Sequence, residues 1–460
     1  MKKLIAFICA LCWCVSAWAD ELPVNLRKSY NDAYLAVLAA SGVVETYSNN
    51  SNGNFSYLKS CGWQVQTYAT KNKKLDVFYT LAANRTRDGK KIYLLTIKGS
   101  TSKKDWKINV QTEHTFYGGN NLAEMRDIAK ITAKENQPTV HGGFNAYVDY
   151  LLDKMVLDTD GVNLKGIFAE VKNDPNTRLI LVGHSMGGAV ATLLAERLYD
   201  LGLPSDRFRV ITFGAPAIGN SVFAEQYGDR INLVRYTNSA DPVPGSLQTV
   251  FGNYKQFGDN RKYHIAASVA NNQHDSALYL DYAVSEFYKV MDNVEFFLGC
   301  KILPQERVVE GVPKVGLVVF ASPEARKYKY VPDIQRFVMG QYMRLFPSYK
   351  LMVMNVSENS AIHNSREVLR QAEQAGCDYV LFCGIDGHLD KKGSEWYIEL
   401  TQSFSTVKNQ LLTMSSYAKR VNPASGNIQA AGENLVQAQA DLSRAVNFLS
   451  RTQTVNLLTE

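Results

Sequence analysis

Ser185 stands in the run Gly183-His184-Ser185-Met186-Gly187-Gly188, after the apolar Leu179–Val182 and before the small-residue run that starts at Ala189. A serine hydroxyl is a poor nucleophile until a base takes its proton and a third group orients that base. Both partner types occur downstream: Asp241 in "NSADPVPG", His264 in "RKYHIAAS" and His274 in "NNQHDSAL". The chemistry open to such a set is acyl transfer, in which the hydroxyl attacks an ester carbonyl and the base carries the proton to the leaving group.

A Gly-x-Ser-x-Gly match is weak evidence by itself in a chain with 31 glycines. Its surroundings carry the argument. A strand that turns sharply into a helix holds the turn residue strained, with its hydroxyl projecting from the sheet edge. The helix passes close over the strand, so its neighbours must be small, and Gly183, Gly187, Gly188 and Ala189 are. The helix start also aims free N–H groups and a positive dipole end at the serine. On such a fold the chain order is Ser, Asp or Glu, then His. Asp241 follows the apolar stretch "INLVRYTN", at the sheet edge of Ser185, in a loop stiffened by Pro242 and Pro244. His264 lies inside what reads as a strand. His274 precedes a long amphipathic stretch, a loop position able to return to the edge, and is favoured as the base. His114, His363 and His388 have no comparable setting.

Apolar periodicity supplies the elements that must position these groups. "YNDAYLAVLAASGVVETY" reads as an opening helix, "WQVQTYAT" and "LDVFYTLAAN" as alternating strands, and "KIYLLTIKG", "TRLILVGH", "FRVITFGAP" and "INLVRYTN" as buried strands. Strands alternating with helices predict an α/β fold with a mostly parallel sheet. "DSALYLDYAVSEFYKVMDN" reads as the helix that closes this unit. The expected organisation is a signal segment over 1–19, a hydrolase domain over 20–295, a linker over 296–312 and a smaller α+β domain over 313–460. The last contains the strands "VGLVVFA", "YKLMVMN" and "CDYVLFCGI". It ends in an amphipathic helix marked by Ile428, Leu435, Leu442 and Leu449, one apolar residue every seven.

Four patches, in order, resemble the class 3 lipases, the fungal triacylglycerol lipase family with an α/β-hydrolase fold: "IKGSTSKKDWKIN", "VHGGFNAYVDYL", "VGHSMGGAVATLLA" and "NSADPVPG". The resemblance covers about residues 25–295. It implies Ser185 as nucleophile, Asp241 as orienting acid and His274 as base. Ser100 and Met186 become the oxyanion donors, and Asp105 the residue that holds the Ser100 hydroxyl. His141 and His184 resemble family histidines packed beneath the site in a structural role. Two features depart from the pattern. Lys98 stands where the family has arginine, and the segment Gln111–Thr139 matches no lid sequence of the family. Leu122, Met125, Ile128 and Ile131 nevertheless give that segment one apolar face, as in a lid over Ser185 or a helix packed on the domain. The carboxy-terminal part weakly resembles small periplasmic α+β envelope modules, which implies docking to another envelope protein.

The first residues read as a secretory signal: Lys2 and Lys3, an apolar run from Leu4 to Val15, and Ala17-Trp18-Ala19 before Asp20. The run is too short to span a bilayer. Loss of its two lysines takes the formal charge from +6 to +4, too little to indicate nucleic acid. Cys61, Cys300, Cys377 and Cys383 remain, and export permits disulfides. Cys377 and Cys383 end one apparent strand, roughly 20 Å apart at about 3.3 Å per residue, beyond disulfide reach. No cysteine has metal-site spacing, and the chemistry needs no cofactor. The expectation is therefore an exported carboxylic ester hydrolase acting on lipid at a membrane or micelle surface through an acyl-enzyme. The alternatives are a phospholipase A1, a short-chain esterase, an acyltransferase or an inert envelope binding protein.

Overall fold

The computed structural model describes residues 22–47, 56–71, 76–86, 88–100, 113–134, 136–157, 164–265, 272–301, 306–352, 365–389, 396–408 and 412–417. The stretches read as a signal segment and as a carboxy-terminal amphipathic helix, and Asp105, lie outside these residues. The chain forms two compact units. One takes Leu38–Ala267 and Asn272–Tyr279, and the other takes the chain before Leu38 and from Leu280 onward. Helices α1 (Val24–Tyr47) and Ser276–Leu298 each contribute to both. The boundary read near residue 295 falls in the second of these helices, whereas the units divide near its start.

The first unit is built on a sheet of strands β1 (Gln64–Lys71), β2 (Asp76–Arg85), β3 (Lys91–Ile97), β6 (Thr177–His184), β7 (Phe208–Phe213), β8 (Leu233–Asn238) and β9 (Asp259–Tyr263), paired in that order. Pairing from β3 to β9 is parallel, and β1 and β2 are antiparallel additions. This is the expected mostly parallel α/β sheet. Strand β6 is buried along nearly its whole length, as a strand covered on both faces must be. Two short strands, β4 (His114–Phe116) and β5 (Thr139–His141), pair separately. Helices α2 (Ser56–Ser60), α3 (Leu122–Ile128), α4 (Gly142–Leu152), α5 (Leu164–Asn173), α6 (Met186–Asp200), α7 (Ser221–Tyr227), α8 (Val243–Phe251) and α9 (Ser276–Leu298) complete the order. Every residue of α6 from Met186 to Leu198 is buried, which explains its run of Ala, Val, Thr and Leu.

Register brings the candidate residues together. Ile97 pairs with Gly183, His184 with Phe213, Phe213 with Tyr236 and Asn238 with Tyr263. The parallel strands therefore end in step, and the loops bearing Ser100, Ser185 and Asp241 leave the same rim of the sheet.

The second unit holds a sheet ordered β11 (Tyr349–Leu351), β10 (Val315–Ala321), β12 (Tyr379–Leu389), β13 (Trp396–Thr406) and β14 (Leu412–Tyr417). β10 is parallel to β11 and β12, and β13 and β14 add antiparallel. Helices α10 (Val331–Leu345) and α11 (Ser365–Gln374) cross between the parallel strands. Val318, Phe320, Val368, Ala372, Val380 and Phe382 form part of its core. Cys61, Cys300, Cys377 and Cys383 are all free thiols. Among the described residues no helix is long and apolar enough to cross a membrane.

Candidate active site

Ser185 is the one non-glycine residue with positive φ among the described residues, at φ 57° and ψ −132°. Such a conformation costs on the order of 1–3 kcal/mol and persists only where its surroundings impose it. Here they do. The Ser185 N–H donates to Phe213 O on β7 at 2.9 Å, and Ser185 O accepts the Gly188 N–H at 3.0 Å. The three glycines are required by contact. A Cβ on Gly183 would lie 2.2 Å from the Gly187 backbone, one on Gly187 2.2 Å from Ile97 O, and one on Gly188 2.8 Å from Ala215 Cβ. The Ser185 side chain makes no capping bond to its own helix, so its hydroxyl is left for other work.

Asp241 and His274, 33 residues apart, meet as a pair: His274 Nδ1 donates to Asp241 Oδ2 at 2.7 Å. The Tyr279 hydroxyl donates to the same oxygen at 2.5 Å, and the Val243 N–H to Oδ1 at 2.8 Å. With Nδ1 spent on the carboxylate, Nε2 is the free base nitrogen, and it is buried without a hydrogen-bond partner. The expected bond from Ser185 Oγ to Nε2 is thus not made. Catalytic hydrogen bonds of ligand-free sites commonly close only with substrate. Asn238 anchors the loop before the base. Its Nδ2 donates to Gln273 O at 3.2 Å and to Gln273 Oε1 at 2.8 Å, while its Oδ1 accepts the Ile265 N–H at 3.2 Å. His264 lies just beyond the end of β9 rather than inside it, exposed, with Nδ1 2.8 Å from Ser239 Oγ.

His184 is buried directly behind the base. Its ring centroid is 4.5 Å from that of His274, its Nε2 is 2.9 Å from His274 O, and its Nδ1 is 3.0 Å from Tyr47 OH. Burial, with the neighbouring His274 second, holds its pKa well below the usual value, so the ring is neutral. The Ser100 hydroxyl donates to Met186 Sδ at 3.4 Å, which puts the two proposed oxyanion residues side by side. Met186 is the first residue of α6 and its N–H has no acceptor within the helix. His141 is fully buried, caps α4 by accepting the Phe144 N–H at 3.4 Å and stacks on Phe144 at 3.9 Å. Tyr47, Tyr279 and Asn238 were not expected at the site. Tyrosines within apolar helices carry no signal that separates them from core.

The described part of the suspected lid is docked on the domain. Met125 is buried in the core, and Arg126 bridges α3 to Asp149 of α4 at 2.8 Å and to Asp153 just past the end of α4 at 2.5 Å. Arg197 of α6 donates to Gly118 O at 2.8 Å and lies 3.8 Å from the Tyr117 ring centroid, while Tyr117 OH donates to Asp200 at 2.6 Å. The apolar Ile131 is left exposed beyond the helix. A cavity of about 340 Å³ between α3 and α4 is bordered by Arg126, Lys130, Asp149 and Arg197, whose charges are already paired.

A parallel sheet whose central strand turns through a strained serine into a buried helix, beside an Asp–His pair, defines the α/β-hydrolase class. Residues 94–251 match the model of the class 3 lipase family, so the resemblance read from the sequence is borne out over that stretch. The secreted mono- and diacylglycerol lipase A of Penicillium cyclopium is 28% identical over 196 residues, 42% of this chain and 54% of that protein. A phospholipase A1 of Oryza sativa subsp. indica is 40% identical over 65 residues, 14% of this chain and 15% of that one. The solved triacylglyceride lipase of Rhizomucor miehei has 21% identity and a TM-score of 0.37, covering 50% of this chain and 79% of that chain. The chain spans about half the length of the curated relatives that it matches over the longest stretch.

Proposed function

We propose that the chain is an exported serine ester hydrolase that cleaves lipid carboxylic esters through an acyl-enzyme. The carrying observation is the pairing of His274 Nδ1 with Asp241 while Nε2 stays buried and unpartnered, on the rim where Ser185 is held in strain. Ser185 Oγ attacks the ester carbonyl carbon and His274 Nε2 takes the hydroxyl proton. Asp241 stabilises the imidazolium. The N–H groups of Met186 and Ser100, with the Ser100 hydroxyl, receive the oxyanion. Collapse of the intermediate expels the alcohol, which takes the proton from His274. Water, deprotonated by the same nitrogen, then releases the acid and restores Ser185. Export is supported by the amino-terminal apolar run and by relatives named as secreted.

A fluorophosphonate probe tests the reading: it labels Ser185, Ser185→Ala takes no label, and the variant releases no fatty acid from mono-, di- or triacylglycerol. Hydrolysis surviving in Ser185→Ala ends the proposal. The match to a phospholipase A1 favours a second reading of the head group, in which phosphatidylcholine is cleaved faster than diacylglycerol under the same conditions. Added alcohol separates hydrolase from acyltransferase, since only the latter diverts most acyl groups into a new ester.

A further inference from the structure

We propose that Tyr47 and His184 are positioning residues that hold the base by an ordered pair of hydrogen bonds, from the Tyr47 hydroxyl to His184 Nδ1 and from His184 Nε2–H to the His274 carbonyl. The inference rests on the reading of His274 as the base. The order follows from valence. A carbonyl oxygen only accepts, so His184 Nε2, 2.9 Å from His274 O, carries the hydrogen. In a neutral ring Nδ1 must then accept, and Tyr47, at 3.0 Å, must donate. The opposite tautomer would set a lone pair against the carbonyl and push the His274 loop away. The ring that makes this contact also packs beneath the base, with centroids 4.5 Å apart.

Tyr47 is the last residue of α1 and reaches the site from 137 residues away. It touches the oxyanion side as well. A Cβ on Gly99 would lie 2.1 Å from the Tyr47 hydroxyl, so the loop carrying Ser100 is fitted against this oxygen and needs glycine there. Lys98 Nζ stands 5.6 Å from the Tyr47 ring centroid and 5.0 Å from that of Phe78. One hydroxyl thus meets the oxyanion loop and satisfies the free nitrogen of the ring behind the base.

The test uses the full chain with p-nitrophenyl butyrate, together with 15N spectra of histidine-labelled protein. Tyr47→Phe lowers kcat about tenfold at unchanged KM, the loss of roughly one hydrogen bond. His184→Gln, whose amide nitrogen can occupy the Nε2 position and donate to His274 O, stays within about threefold of wild type. His184→Asn, which can accept from Tyr47 but cannot reach the carbonyl, falls about tenfold or more. The wild-type spectrum shows His184 as a single Nε2–H tautomer, and in Tyr47→Phe the Nδ1 resonance shifts because its hydrogen-bond donor is gone. A wild-type kcat in Tyr47→Phe, equal losses in the Gln and Asn variants, or a wild-type Nδ1–H tautomer overturns the proposal. Should Tyr47→Phe not fold, the wild-type tautomer and the Gln–Asn contrast decide it. Absence of any esterase activity in the wild type overturns the reading of the site instead, and the tautomer still decides the ordering.

Discussion

The Tyr279 hydroxyl and the Asp241 carboxylate meet at 2.5 Å, on the same oxygen that takes His274 Nδ1–H. The tyrosine is completely buried, and burial followed by the nearby carboxylate raises its pKa well above the ordinary 10. It therefore remains a donor across the neutral and mildly alkaline range. Tyr279→Phe removes one of the bonds that fix the acid. We expect kcat to fall about tenfold with KM little changed, and the folded state to lose on the order of 1–2 kcal/mol. Steady-state kinetics and urea denaturation check both.

Ser100 is expected to act through its hydroxyl as well as its N–H. Ser100→Ala keeps the backbone donor and loses the other, so kcat drops by about a hundredfold with KM nearly constant. An unchanged kcat would place the oxyanion elsewhere on the rim.

The two downstream histidines separate cleanly by substitution. His274→Ala lowers kcat about as severely as Ser185→Ala, about a millionfold, because the two act as a unit. His264, exposed and bonded to Ser239, tolerates alanine with a change of about twofold. The reverse result would exchange the assignments while leaving the enzyme class intact.

His184 makes stability depend on pH. Its pKa is held well below the usual 6.5 by burial, so the unfolded chain binds a proton below about that value while the folded chain does not. Its contribution is complete above 6.5 and is lost as pH falls towards the folded pKa. His184→Gln has no such term. The gap in Tm between variant and wild type, measured from pH 8 to pH 5, is expected to shift in the variant's favour only below about 6.5.

The elbow was legible because backbone crowding dictates residue type. Gly183, Gly187 and Gly188 occupy positions where any side chain would strike a neighbouring main chain, and the sequence records that in its spacing. The loop position of Asp241 followed from strand order, and His274 from the length of chain needed to return to the rim. Tyr47 and Tyr279 were not legible. Their partners lie 137 and 38 residues away, and nothing local distinguishes a tyrosine that donates from one that merely packs. The apolar face of α3 suggested a lid or a packed helix. In the structure Arg126 and Arg197 dock it on the domain, through partners on α4 and in the Gly118 loop that periodicity does not report.

The in-step ending of the parallel strands also leaves a back side. The hairpin Thr86–Lys90, closed by the Thr86 N–H to Lys90 O at 2.8 Å with Gly89 at φ 83°, joins β2 to the start of β3, at the end of that strand remote from Ser100. A dye, a resin linker or a fused reporter attached at this hairpin would sit at the edge of the sheet opposite the rim of Ser185, so a label there leaves that rim uncovered.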